Sequence, residues 1–356
     1  MIKPESYVPI LKWKQSEYQT LLRLDANTKT KIVPLLVIPP IDYDHEEAKL
    51  KRNIDEHLEK FATRLKEKWG TRLCLVDMHN SVADAVMANG DLAINFVLSS
   101  LADNNCTYIP VANINCSTNY ISALSADPNA NNGYAFRLSL DDIARADIST
   151  RLVALCNALN TAIEDVDIVV DLNRPETFLP YDGFSNLISH YILALGNVMQ
   201  WRSLTIAGTS LDMQKVNKPG GEFDRHEWLL YKEILNSPLG QLRRPTFGDY
   251  TIESPDFSDI DFRFVKPAGK LIYLYDEFWL IRKGGSFRDD SSQMFGHCQF
   301  IVHSGKFMGA GFSHGDQKIS DIESKASSNY STLGTWKQVG MTHHITLVTE
   351  QLANLP

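Results

Sequence analysis

No apolar run in this 356-residue sequence reaches the roughly 20 residues that a helix needs to cross a bilayer. The opening MIKPESYVPILKWKQ also lacks the long apolar core of a signal peptide, so secretion and membrane insertion are not expected and a cytoplasmic location is. Cysteine is scarce: Cys74, Cys106, Cys116, Cys156 and Cys298 are an odd, scattered set with no CxxC pair. That pattern suits a reducing compartment and does not suit a disulfide scaffold. Positive charge is in deficit, with 35 Lys and Arg against 43 Asp and Glu and a net charge of −8. Bulk binding to nucleic acid or to an anionic membrane is disfavoured, although local basic patches remain open. Phosphate-loop, dinucleotide-fold and nucleophile-elbow motifs are missing, as is HExxH. The adjacent pairs His297–Cys298 and His343–His344 point in different directions on a helix and lack the spacing of a helical metal pair, so no metal site is assigned. The remaining histidines read as surface or packing residues.

What the sequence does have is rhythm. Its 44% hydrophobic and 22% charged residues are ordinary for a folded domain. Short Val/Ile/Leu-rich runs alternate with stretches of helical spacing, which is the mark of β/α units. The runs are Tyr7 to Leu11, Ile32 to Ile38, Leu73 to Val76, Tyr108 to Ala112, Tyr134 to Leu138, Ile168 to Val170, Leu204 to Ala207 and Thr246 to Ile252. Eight such runs, most of them continuously apolar, predict an α/β fold, a (β/α)8 TIM-like barrel over residues 1–255. The spacing predicts helices over Glu46–Trp69 (ended by Gly70), Asp91–Leu101, Asp142–Ile163, Phe184–Met199 and Glu222–Leu235. Residues 256–356 read as an extension packed on the barrel, with a separate domain as the alternative. It would hold a hairpin over Lys270–Lys283 closed by Gly284 and Gly285, helices over Gln293–Val302 and Leu333–Leu352, and a polar stretch from Gly309 to Ser331. Gly284, Gly285 and Ser286 beside Arg288 would suit a phosphate nest or a simple hairpin exit.

In a β/α barrel the active site lies at the C-terminal ends of the strands. The residues there are polar: Lys12, Trp13, Lys14, Gln15 and Glu17 after the first strand, Asp77 and His79 after the third, and Asn113 and Asn115 after the fourth. Arg137 ends the fifth, Asp171 and Asn173 follow the sixth, Thr209 and Ser210 the seventh, and Asp249 and Glu253 lie in or after the eighth. Asp77, Asp171 and Lys14 are the candidate catalytic residues. Arg137, Lys12, Gln15, Asn113, Asn115, Asn173, Ser210 and Asp249 are the candidate substrate contacts. Lys14 and Arg137 would hold an anionic small molecule, and the two aspartates would act as general acid and base or as oxygen ligands of a divalent cation, with the cofactor otherwise left open. Taken singly, each Asp or Asn after a strand is also explained as a helix cap or turn residue. In the hairpin, Tyr273, Tyr275, Phe278 and Trp279 beside Arg282 and Lys283 would suit a protein partner or single-stranded nucleic acid, or would cover the barrel's flank.

The segments YVPILKWKQSEYQTL, LCLVDMH, VDIVVDLN and GTWKQVGMTHHI resemble the phage beta-protein family, over most of the chain. The resemblance implies a setting in mobile elements and in conflict between phage and host, and brings no catalytic assignment. Two functional readings follow. One is an enzyme acting on a phosphate-bearing or otherwise anionic substrate at the barrel mouth. The other is a non-catalytic interaction protein that uses the barrel as scaffold and the C-terminal region as its binding face.

Overall fold

The structure, a computed structural model, describes residues 1–257, 264–325 and 329–355. Residues 258–263 and 326–328, within the expected extension, lie outside the described residues. Thirteen strands follow in chain order among them: β1 (Tyr7–Lys12), β2 (Leu35–Ile38), β3 (Tyr43–Asp44), β4 (Lys49–Leu50), β5 (Cys74–Met78), β6 (Tyr108–Ala112) and β7 (Tyr134–Ser139). Then come β8 (Val166–Asp171), β9 (Ser203–Ala207), β10 (Gly220–Asp224), β11 (Thr246–Asp249), β12 (Ala268–Tyr275) and β13 (Phe278–Ser286). Eight of them close a parallel barrel in the order β1-β11-β9-β8-β7-β6-β5-β2. The eight apolar runs and the (β/α)8 architecture expected from them are both present.

The continuous apolarity has a simple cause: both faces of each strand are covered. In β2, Leu35 and Val37 fill the barrel interior while Leu36 and Ile38 pack on the helices. Burying each such side chain contributes about 1.5–3 kcal/mol. The interior is crowded: a Cβ on Gly248 would lie 2.8 Å from the Val8 carbonyl oxygen and 3.0 Å from Ala207 Cβ, so only glycine fits there.

Several helix expectations need correction. The span Glu46–Trp69 is not one helix, because β3 and β4 form a small hairpin and leave Leu50 exposed. The first helix after them, Ile54–Leu58, starts where Asn53 and Glu56 form a reciprocal capping box, and a second runs Phe61–Trp69. Gly70, at φ +80°, does end that helix. The stretch Asp142–Ile163 splits into Leu140–Ile143 and Ile148–Ala158. The next helix is Tyr181–Ala194, displaced toward the N-terminus from Phe184–Met199. Glu222–Leu235 begins as strand β10, and the helix is His226–Asn236. The hairpin turns at Asp276–Glu277, while Gly284 and Gly285 lie inside β13. The stretch Gly309–Ser331 contains a helix, His314–Glu323, capped by Ser313.

β10, β13 and β12 form an antiparallel sheet beside the barrel. One face carries Leu271, Tyr273, Tyr275 and Leu280 against the helices Gln293–His303 and His314–Glu323. The other carries Ile272, Leu274, Trp279 and Ile281 into the main core. Tyr273, Tyr275 and Trp279 are buried and serve packing, while Phe278 at the turn is half-buried. The C-terminal helix Leu333–Asn354 is buried on most sides. Its adjacent histidines reach apart: His343 Nδ1 lies 2.9 Å from Asp316 Oδ2, and His344 Nε2 lies 2.8 Å from Asp249 Oδ2. Both rings are fully buried, stacked on Tyr273 and Trp279 respectively. Among the described residues no helix is long and apolar enough to cross a membrane.

Candidate functional site

Alternation along a strand decides which residues face the barrel axis. Ile10, Leu75, Ala135 and Val169 belong to the interior cluster, so Lys12, Asp77, Arg137 and Asp171, two residues further on, face the same interior at its C-terminal mouth. There Arg137 joins the two aspartates. Its Nη1 donates to Asp77 Oδ2 at 2.6 Å, while Nη2 and Nε donate to Asp171 Oδ2 at 2.6 and 2.9 Å. Tyr250 completes the group, its hydroxyl donating to Asp171 Oδ2 at 2.5 Å and accepting from Arg137 Nη2 at 2.9 Å. Burial works against the Arg137 cation, but Asp171, Tyr250 and Asp77 outweigh it and hold the guanidinium protonated. Burial pushes the Asp77 carboxyl up, with Arg137 opposing it. The position between the two carboxylates is therefore filled by a cation that belongs to the chain.

Phe257 lies across the mouth. Its ring stands 4.8 Å from the His79 ring and 4.4 Å from Lys12 Nζ, which donates to the Asp256 carbonyl. The open space is beside this plug. A cleft of about 1050 Å³ is walled by Lys12 to Tyr18 after β1, by the β3–β4 hairpin, by residues 253–257 after β11, and by Arg288 and Lys337 from the C-terminal region. Its lining mixes cations such as Lys14, Arg52 and Arg64 with the carboxylates Glu17, Asp42 and Glu253, and with Trp13, Tyr18 and Tyr43.

Two ionisable groups on this wall are drawn toward neutrality. Burial brings Lys12 down to about 8, against the pull of Glu253 and Glu17. Burial also pushes Glu17 up to about 7, and the nearby Glu253 adds to the effect. Lys337 only partly offsets this, because it is bound to Glu253 at 2.9 Å. A lysine and a carboxyl that both change charge near neutral pH suit proton transfer.

The structure thus brings together Asp77, Arg137 and Asp171 at the barrel axis, and Lys12, Lys14 and Gln15 in the cleft. Lys14 is largely exposed and faces Asp42 at 3.3 Å. The other candidates stand apart from both groups, except that Asn173, at φ +55°, places its Oδ1 3.2 Å from the Tyr250 hydroxyl. Asn113 accepts from the Asn115 backbone at 2.8 Å, and the Asn115 side chain reaches Asp142 at 3.4 Å, both as turn residues. Ser210 bonds Glu227. Asp249 faces away from the axis and accepts from His344 and Tyr7. Arg288 lines the cleft, but the glycines before it are in a strand and form no nest. Sequence reasoning noted Glu17 and Glu253 only as residues near strand ends, and missed Phe257, Tyr250 and Lys337. Tyr250 was the findable one, since it continues the inward register of the last barrel strand. Among the described residues no group of three or more His, Cys, Asp or Glu side chains is placed to hold a metal ion.

A search of curated proteins finds no match to the chain. A family model described as Beta protein matches residues 7–350, so the site and nearly all the fold around it lie within the match, and the chain belongs to the Beta protein family.

Proposed function

We propose that the protein is an enzyme whose cleft beside the barrel mouth takes a phosphate-bearing or otherwise anionic small molecule, with Lys12 and Glu17 as its proton-transfer groups. The observation that carries the reading is the placement of these two buried groups on one wall of a 1050 Å³ cleft at the C-terminal ends of the strands, with basicities drawn toward each other. Lys14 and Arg52 supply cations for the anion, while the Asp77–Arg137–Asp171 group serves as the rigid floor behind them. The role in conflict between phage and host that the family resemblance implies is the setting we propose for this activity. The interaction-protein reading has less support, since Tyr273, Tyr275 and Trp279 of its aromatic ribbon are buried.

Calorimetric titration with inorganic phosphate, sugar phosphates and nucleotides tests the reading. A phosphate-bearing compound is expected to bind and to raise the melting temperature, by about 2.7 kcal/mol of stability at a hundredfold excess over Kd. Binding should weaken in Arg52→Ala. Absence of binding across these classes would sink the proposal.

A further inference from the structure

We propose that Lys12 is a nucleophilic amine, and that the substrate of this cleft carries an aldehyde or ketone carbonyl as well as its anionic group. The inference rests on the reading of the cleft as a substrate site and deepens it. Lys12 ends β1 facing inward and is 8% exposed, unlike the solvated lysines of the surface. Its amine is positioned from two sides, by the Asp256 carbonyl and by the face of Phe257 at 4.4 Å. The charged groups that it senses are Glu253, Glu17, Lys14 and Lys337, and burial outweighs them in favouring the neutral amine. A desolvated lysine of this kind is the form that attacks carbonyls.

The step balances within the site. The neutral Nζ forms a bond to the carbonyl carbon as the C=O π pair moves to oxygen, and one proton passes from that nitrogen to the oxygen, giving a carbinolamine. Glu17, protonated up to about pH 7, gives a proton to that hydroxyl, the C–O bond breaks and water leaves. The nitrogen's remaining proton returns to the Glu17 carboxylate, and the product is an imine on Lys12, with no electrons gained or lost. Hydrolysis of the imine, directly or after rearrangement of the substrate's own bonds, returns the amine.

Pyridoxal 5′-phosphate is a suitable probe because it joins an aldehyde to a phosphate. The full chain is treated with it at neutral pH, reduced with borohydride and digested, and the adducts are mapped by mass spectrometry. Lys12 is expected to label about tenfold or more faster than exposed lysines such as Lys49. Inorganic phosphate should protect it, phosphate-free pyridoxal should label it more slowly, and Glu17→Gln should slow adduct formation. Mapping on the unaltered protein decides the matter even if Lys12→Arg fails to fold. Labelling spread evenly over surface lysines overturns the proposal. If phosphate nonetheless binds by calorimetry, the cleft reading survives and only the imine is lost; if it does not, both fall.

Discussion

Arg137 and Asp171, on neighbouring strands, share a two-nitrogen contact in which Nε and Nη2 both donate to Oδ2, at 2.9 and 2.6 Å. Removing the guanidinium leaves Asp171 and Asp77 facing each other with no cation. Arg137→Ala is expected to cost about 3–5 kcal/mol in denaturant unfolding, as for other buried pairs broken on one side. Asp171→Asn should cost more than Asp77→Asn, since Asp171 also accepts from Tyr250 and from the Asn173 backbone. Negligible losses would show that the group is not part of the barrel's stability, and equal losses at the two aspartates would show that the Tyr250 and Asn173 contacts add nothing.

Glu17 carries a pH signature. Its folded-state value of about 7 lies above the ordinary 4.5, so the native state holds this proton more tightly. Stability should therefore fall as pH rises from about 4.5 to about 7, and the loss is complete above that. Glu17→Gln is expected to flatten this part of the profile and to stabilise the protein at pH 8 by at most about 3 kcal/mol. Urea midpoints between pH 4.5 and 8 measure it, and parallel profiles would refute it.

Lys12 has the opposite sign. Its folded value of about 8 lies below the ordinary 10.5, so the native state releases the proton more readily. Stability should rise with pH between about 8 and 10.5. Lys12→Met is expected to be more stable than the parent at pH 7, with the difference shrinking toward pH 10. A destabilised Lys12→Met would mean that the amine's contacts outweigh its desolvation.

The barrel was legible because each strand is covered on both faces and so announces itself as an apolar run. β10 was not: its sequence GGEFD is polar and half exposed, and only backbone pairing to β13 makes it a strand. The axial group could be read because Asp77, Arg137 and Asp171 each end a recognisable run in the same register. The shifts at Lys12 and Glu17 could not, because they depend on Glu253, Phe257 and Lys337, which come from distant parts of the chain.

His344 tests the attachment of the C-terminal helix. Burial pushes the Asp249 carboxyl up, but His344, then Tyr7 and Arg225, outweigh it and hold it below the usual carboxylate range. This contribution is present above the ordinary value near 3.8 and is lost as pH falls through the lower folded value. His344→Ala is expected to cost about 3–5 kcal/mol at pH 7, and to speed hydrogen exchange in the helix Leu333–Asn354. Unchanged exchange would refute the role.

Because β10 is supplied from between two barrel strands yet pairs only with β13, the order of synthesis matters. As the chain leaves the ribosome, Gly220–Asp224 emerges before the strand that it must join, and β1 waits for β11 before the ring can close. A fragment ending after β11 would hold every barrel strand and still carry an unpaired edge, together with a bare outer surface where Trp279 and the last helix belong. The eight barrel strands are thus not by themselves a finished folding unit: β10 and the barrel's outer face are completed only by chain that follows β11.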